Sequence, residues 1–238
     1  MSCNEIFIIR KCRTLLRPLA LFIIIILPSA IRSQDYNSLQ DSLRIATERL
    51  AFSPDSIDLR LRKAGFNLQL EQWQYAKEEY DKVLKKQNNN VAALFFRAYA
   101  NKHLKRLHHA KQDYEHLLTI LPKHFEARLG LALLCQEMGR ITDAFDHINY
   151  LVEIYPDSST TYAARAGMEV ENNMYEIAEL DISEAISRET GNIDYILQRA
   201  LIRIHLNRKS DALDDLLALI KLGVPRKQLL PYFRMCKE

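Results

Sequence analysis

VAALFFRAYANKHLKRLHHAKQDYEHLLTILPKH, residues 91–124, decides how the rest of the chain is read. It holds two apolar stretches of helical spacing joined by the charged segment KHLKRLHHAK (102–111). Set beside its neighbours, it aligns without a gap to residues 57–90, 125–158, 159–192 and 193–226. One column of that alignment reads Ala64, Ala98, Ala132, Ala166 and Ala200. A second reads Ala76, Ala110, Ala144, Ala178 and Ala212. Ten alanines in two registers at one spacing of 34 residues mark an internal repeat rather than a bias of composition. Small side chains there let two helices approach closely. Tyr80, Tyr114, Ile148, Ile182 and Leu216 lie at i+4 from the second column, and Val83, Leu117, Leu151, Ala185 and Leu219 at i+7. That spacing is one helix face.

Each block therefore predicts two antiparallel helices with a short bend, and links punctuated by Pro122 and Pro156. Leu39, Leu43, Ala46 and Leu50 continue the stripe before the first block, so 34–56 reads as a half-repeat capping helix over 36–53. Residues 227–238 read as a short C-terminal cap interrupted by Pro231. The fold class is all-α, of about eleven or twelve helices.

The paired Ala columns resemble the tetratricopeptide repeat family. So do Trp73, Leu107, Ile141 and Tyr175 after the bends, Tyr80 and Tyr114, and the two link prolines. The resemblance covers 57–226. Two departures stand out: Ala replaces the family's usual Gly in the first helix of every block, and Gly139 is the one glycine at a bend. The resemblance implies a right-handed α-solenoid superhelix whose first helices line an inner groove that holds peptides or partner helices. The family's carboxylate clamp of Lys and Asn is missing from the equivalent places. The lining here is Leu61, Phe95, Tyr99, Leu129, Leu133, Gly167, Leu197 and Leu201, with Lys102, His103 and Gln136 towards the rim. An apolar, aromatic lining of this kind marks binding. The expected partner is another protein or peptide, presenting an apolar segment or an amphipathic helix, with Phe95, Tyr99, Leu129 and Leu133 as anchors. A second copy of the chain, in a structural or self-assembling subunit of an envelope complex, is the alternative occupant.

A further column pair carries charge. Lys63, Arg97, Arg165 and Arg199 each precede an acid by 16 residues: Glu79, Asp113, Asp181 and Asp215. In the third block both members change together, to Leu131 and His147. The joint change predicts an ion pair between the two helices of a repeat, worth about 0–1 kcal/mol if exposed.

The N-terminus has a different character. Arg10, Lys11, Arg13 and Arg17 precede the apolar run Leu19–Leu27, and PSAIRSQ follows. This order describes a secretory signal peptide over 1–33, cleaved after Ala30 or Ser33, with export to the periplasm or cell envelope. An uncleaved membrane anchor is the alternative, although the run is short of the ~20 residues a spanning helix needs. Residues 1–33 hold five of the 33 Lys/Arg and one of the 30 Asp/Glu, which leaves 28 and 29. The remaining body is near neutrality, so a general polyanion binder is not expected. The later cysteines, Cys135 and Cys236, suggest no disulfide framework, and Cys135 reads as a buried thiol.

Candidate chemistry is sparse. His109, Asp113 and His116 fall at i, i+4 and i+7 and offer a metal site or, with Lys102, Lys105, Arg106 and Lys111, a polyanion patch over 102–116. Asp113 is already claimed by the Arg97 pairing, and the bends of the other blocks do not continue the basic stripe. No phosphate loop, GxSxG or CxxC occurs in the sequence. The expectation is a protein without catalytic residues, metal or cofactor, and with no nucleic acid or small-molecule substrate.

Overall fold

The computed structural model describes residues 29–237, with side chains from Tyr36 onwards. Most of the proposed leader therefore lies outside the described residues. Among those described there are twelve α-helices and no strand. They form two compact units, one running to Pro156 and one from Asp157.

In the first unit, α1 (Ser29–Phe52) precedes three helix pairs: α2 (Ile57–Gln69) with α3 (Trp73–Lys86), α4 (Val91–His103) with α5 (Leu107–Ile120), and α6 (Phe125–Glu137) with α7 (Ile141–Ile154). The second unit holds α8 (Ser159–Glu171) with α9 (Tyr175–Arg188), α10 (Ile193–His205) with α11 (Lys209–Lys221), and finally α12 (Arg226–Met235). The first helix of each pair begins on the first residue of a sequence block. The fold is all-α, built of tandem helix pairs repeating every 34 residues, as the alanine columns predict.

The repetition has a local cause at each punctuation point. Ser56, Asn90, His124 and Asn192 stand in one column and cap the helix that follows, each accepting a hydrogen bond from a backbone N–H of its first turn. Each pair turns on a residue in the left-handed region: Glu71, Lys105, Gly139, Asn173 and Asn207, with φ between 57° and 74°. Immediately after it, a backbone N–H donates back across the bend to close the turn. Gln72 donates to Asn67, Arg106 to Asn101, Arg140 to Cys135 and Arg208 to Arg203, each at 2.8 Å, and Met174 to Glu169 at 2.9 Å. That closure holds the bend at Glu71 and Lys105, where the side chain opposes a positive φ.

All ten column alanines are buried, at 0–1% exposure. They bring each pair close enough for Tyr80, Leu117, Ile148, Ile182 and Leu216 to fill the space between helices. Gly130 allows the tightest approach, because a Cβ there would sit 2.8 Å from the Tyr114 ring. The stripe Leu39, Leu43, Ala46 and Leu50 is half-buried to buried in α1, which packs on α2. The helix begins seven residues before the predicted Tyr36, since SAIRSQD contains nothing to break it after Pro28.

α12 corrects one expectation. It runs unbroken through Pro231. The hydrogen bond that proline cannot make falls at Lys227, an exposed residue, where water can satisfy the carbonyl. Leu229, Tyr232 and Cys236 close the core against Ile196, Ala200, Leu216 and Leu219.

The charged columns meet as predicted. Lys63 Nζ lies 3.2 Å from Glu79, and Asp113 accepts from Arg97 Nη2 at 2.6 Å and Nε at 2.9 Å. Arg165 grips Asp181 in the same two-pronged way, and Arg199 grips Asp215 at 2.7 and 3.1 Å. The four acids are only 3–5% exposed, so these are desolvated pairs rather than surface ones. Removing Arg97 or Arg165 strands Asp113 or Asp181 in the interior, at a cost of about 3–5 kcal/mol, whereas Glu79 keeps Arg60 and Lys82 and Asp215 keeps Arg203. In the third repeat, Leu131 is fully buried in place of the cation. Burial, followed by the nearby Arg128, depresses the pKa of His147.

Candidate functional site: the inner helices

α4 forms because Asn90 caps a run of good helix formers, and its apolar residues exceed what one buried stripe needs. Ala93, Leu94, Ala98 and Asn101 face the interior. At 3.6 residues per turn, Phe95, Tyr99 and Lys102 fall in a separate arc of roughly 60°. The equivalent residues of α6 are Leu129, Leu133 and Gln136. Phe95, Tyr99, Leu133, Gln136 and, on α2, Leu61 are half-buried. Leu129 differs: at 5% exposure it belongs to the core and offers no free anchor. In the second unit, Gly167, Leu197 and Leu201 are also half-buried, the last two packed on the core that α12 closes.

Aromatic contacts fix the geometry of α4. Phe95 meets Phe96, Tyr114 and His124 at centroid distances of 5.2, 5.9 and 5.8 Å. Tyr99 stands edge-on to Trp73 at 5.8 Å. His103 lies flat on the Trp73 ring at 4.0 Å and 9°, and also touches Tyr99 at 4.6 Å. The rim histidine is thus one side of an aromatic triad. Tyr175 and His205 repeat the stack in the second unit, at 4.9 Å and 8°. Both stacks join residues that follow one bend to residues that end the next first helix, a spacing that a search at the 34-residue period passes over. In the first unit, α4 carries two rigid aromatic clusters, one around Phe95 and one joining Tyr99 and His103 to Trp73. Rigid aromatics lose little freedom on contact, which suits them to act as anchors.

The basic bend loses its independence. Lys105 Nζ pairs with Glu137 at 2.7 Å and Lys102 reaches the same carboxylate at 3.7 Å, tying the end of α4 to the end of α6. Lys111 pairs with Glu115. Of the three residues considered for metal, Asp113 is held by Arg97 and Asn101, and His116 Nε2 lies 3.0 Å from Asn89 Oδ1. The described residues contain no cluster of three or more His, Cys, Asp or Glu suited to an ion. Cys135 and Cys236 are free and buried, and burial raises both thiol pKa values. No described helix is long and apolar enough to cross a membrane.

Sequence reasoning passed over Glu169. It occupies the column of Asn67, Asn101, Cys135 and Arg203, is 3% exposed, and leaves Oε2 without a hydrogen-bond partner. Burial first, and the adjacent Asp181 second, push its carboxyl pKa up to about 8 against the pull of Arg165. Reading that column across the five blocks would have exposed the odd carboxylate.

No protein-family model matches the chain, and no curated protein matches it. Solved structures do. A tetratricopeptide repeat protein from Parabacteroides merdae is similar at 21% identity and TM-score 0.67, over 86% of this chain and 80% of that one. PilF of Pseudomonas aeruginosa is similar at 17% identity and TM-score 0.61, over 82% and 87%. YrrB, described as a tetratricopeptide repeat protein with an unusual peptide-binding site, gives 13% identity and TM-score 0.54, over 75% and 92%. At these identities the likeness establishes the fold: tandem repeats of the tetratricopeptide type.

Proposed function

We propose that this chain is a non-catalytic protein-interaction scaffold that binds an apolar peptide or amphipathic helix of a partner on the inner face of α4 and α6. One observation carries the reading. Phe95, Tyr99 and Leu133 remain half-exposed on helices whose core faces are already filled by other residues. Large apolar side chains held rigid at a surface are what binding hot spots consist of. The fold is shared with YrrB, whose description includes a peptide-binding site. Lys102, shared with Glu137, and Gln136 give the end of the arc a polar character without a net charge to select an acidic flank. Leu61 on α2 belongs to the same face.

The test is cross-linking in the native envelope, followed by mass spectrometry, with photo-reactive groups at Lys102 and at Glu115 on α5. Partners should label from the first position and not from the second. Their survival in a folded Tyr99→Ala, Leu133→Asp variant would remove the inner face from consideration.

The site of action we propose is the periplasm or cell envelope, on the strength of the basic, apolar and small-residue order of residues 10–33. Intact-mass measurement of the cellular protein checks this. A chain still starting at Met1 and found in the soluble cytoplasmic fraction refutes it. Cleavage after Ala30 or Ser33 would trim the first turns of α1 and leave its packing stripe whole.

A further inference from the structure

From Leu216 to Glu238 the sequence carries five cations, Lys221, Arg226, Lys227, Arg234 and Lys237, against one acid, Glu238. All five are exposed. The nearest acid before them, Asp215, is occupied by Arg199 and Arg203. This is the reverse of the basic bend at 102–111, where Glu137 and Glu115 neutralise the lysines.

Helical register sorts the residues of α12. Leu229, Tyr232 and Cys236 share the buried side. Opposite them, Arg226, Leu230, Arg234 and Lys227 fall within an arc of about 100°, and Lys237 follows in the next turn. Leu230 sits near the middle of that arc and is 41% exposed, with Leu222 and Met235 also open to solvent. Arg226 is 5.7 Å from the Phe233 ring, a contact that leaves its charge uncompensated.

Among the described residues this is the solvent side of a single helix, with these side chains exposed. Its recognition chemistry is a field of positive charge around a shallow apolar centre. A headgroup layer of anionic lipid accepts both together: charge draws the helix down and the leucine enters the boundary region. We propose that the exposed side of α12 is a docking surface for anionic phospholipid membranes.

The experiment is co-sedimentation of the full chain with vesicles of phosphatidylcholine, with and without about one third phosphatidylglycerol. Ile23→Glu and Ile25→Glu are present in every sample to silence the apolar run 19–27. The parent should bind the anionic vesicles, release at high salt, and ignore phosphatidylcholine alone. Each neutralised cation should lower partitioning about fivefold, so Arg226→Gln, Lys227→Gln and Arg234→Gln together should lower it about a hundredfold. Circular dichroism confirms that the variant stays folded. Arg226→Lys with Arg234→Lys should bind like the parent, because a bilayer reads charge and not the two-pronged geometry of a guanidinium. Equal binding by the neutralised variant would overturn the proposal. So would binding of poly-glutamate without binding of vesicles, which would assign the surface to an acidic protein.

Discussion

Replacing Glu169 with Gln should stabilise the second unit at neutral pH and do nothing in acid. The carboxyl sits in the core of the α8–α9 pair, with Arg165 Nε at 3.9 Å and that guanidinium already committed to Asp181. Its folded pKa is raised to about 8, from an ordinary 4.5. Below 4.5 the group is protonated in both states and contributes no pH dependence. Above that value the unfolded chain releases the proton while the folded chain keeps it, so stability falls as pH rises and levels off beyond the folded value. The slope is at most about 1.4 kcal/mol per pH unit. From about pH 5 to about pH 7 the loss is therefore about 1–3 kcal/mol. The substituted glutamine is isosteric, carries no proton to lose, and offers an amide donor to Asp181. Hydrogen exchange of α8 and α9, with urea melts at about pH 4, 6 and 7.5, measures the effect within this unit. Expected is a gain of about 1–2 kcal/mol at the highest pH that shrinks to nothing at the lowest. A variant less stable than the parent at the highest pH, or one with the same difference at both ends, refutes the reasoning.

Three further outcomes follow from the packing. Gly130→Ala should cost about 1–3 kcal/mol, because its Cβ meets the Tyr114 ring, and Tyr114→Leu in the same chain should recover part of the loss in thermal melts. Ala178→Leu should overpack the α8–α9 contact by a similar amount, read from the urea midpoint. Leu131→Arg alone should cost about 3 kcal/mol or more by burying an unpaired guanidinium. Adding His147→Asp should return at least about 1 kcal/mol in a double-mutant cycle.

The helix pairs were legible because their causes recur. Alanine at 64, 98, 132, 166 and 200 has one steric reason to be there, and that reason repeats every 34 residues. The ion-pair column was legible for the same reason, down to the simultaneous loss of both members at Leu131 and His147. Its burial was not, since sequence spacing gives distance along a helix and not distance from water. The bends were harder. Glu71 and Lys105 adopt positive φ with no glycine to announce it, and a backbone bond closes each bend. Pro231 misled because a helix breaker was weighed without knowing that its missing bond falls at an exposed residue. On the candidate face, Phe95, Tyr99 and Leu133 follow the predicted register. The closing-off of Leu129 and the stacking of His103 on Trp73 depend on neighbours from adjacent helices, which one block read alone does not contain.

The neutral third repeat makes the repeats chemically uneven where they are geometrically alike. Repeats with Lys63–Glu79, Arg97–Asp113, Arg165–Asp181 and Arg199–Asp215 hold a buried charge that fixes its partner in one geometry and that dissolved ions screen only weakly. The repeat holding Leu131 leans on exclusion of water, which sulfate and phosphate strengthen. The third repeat therefore joins its two helices at that column without an electrostatic lock, through packing alone.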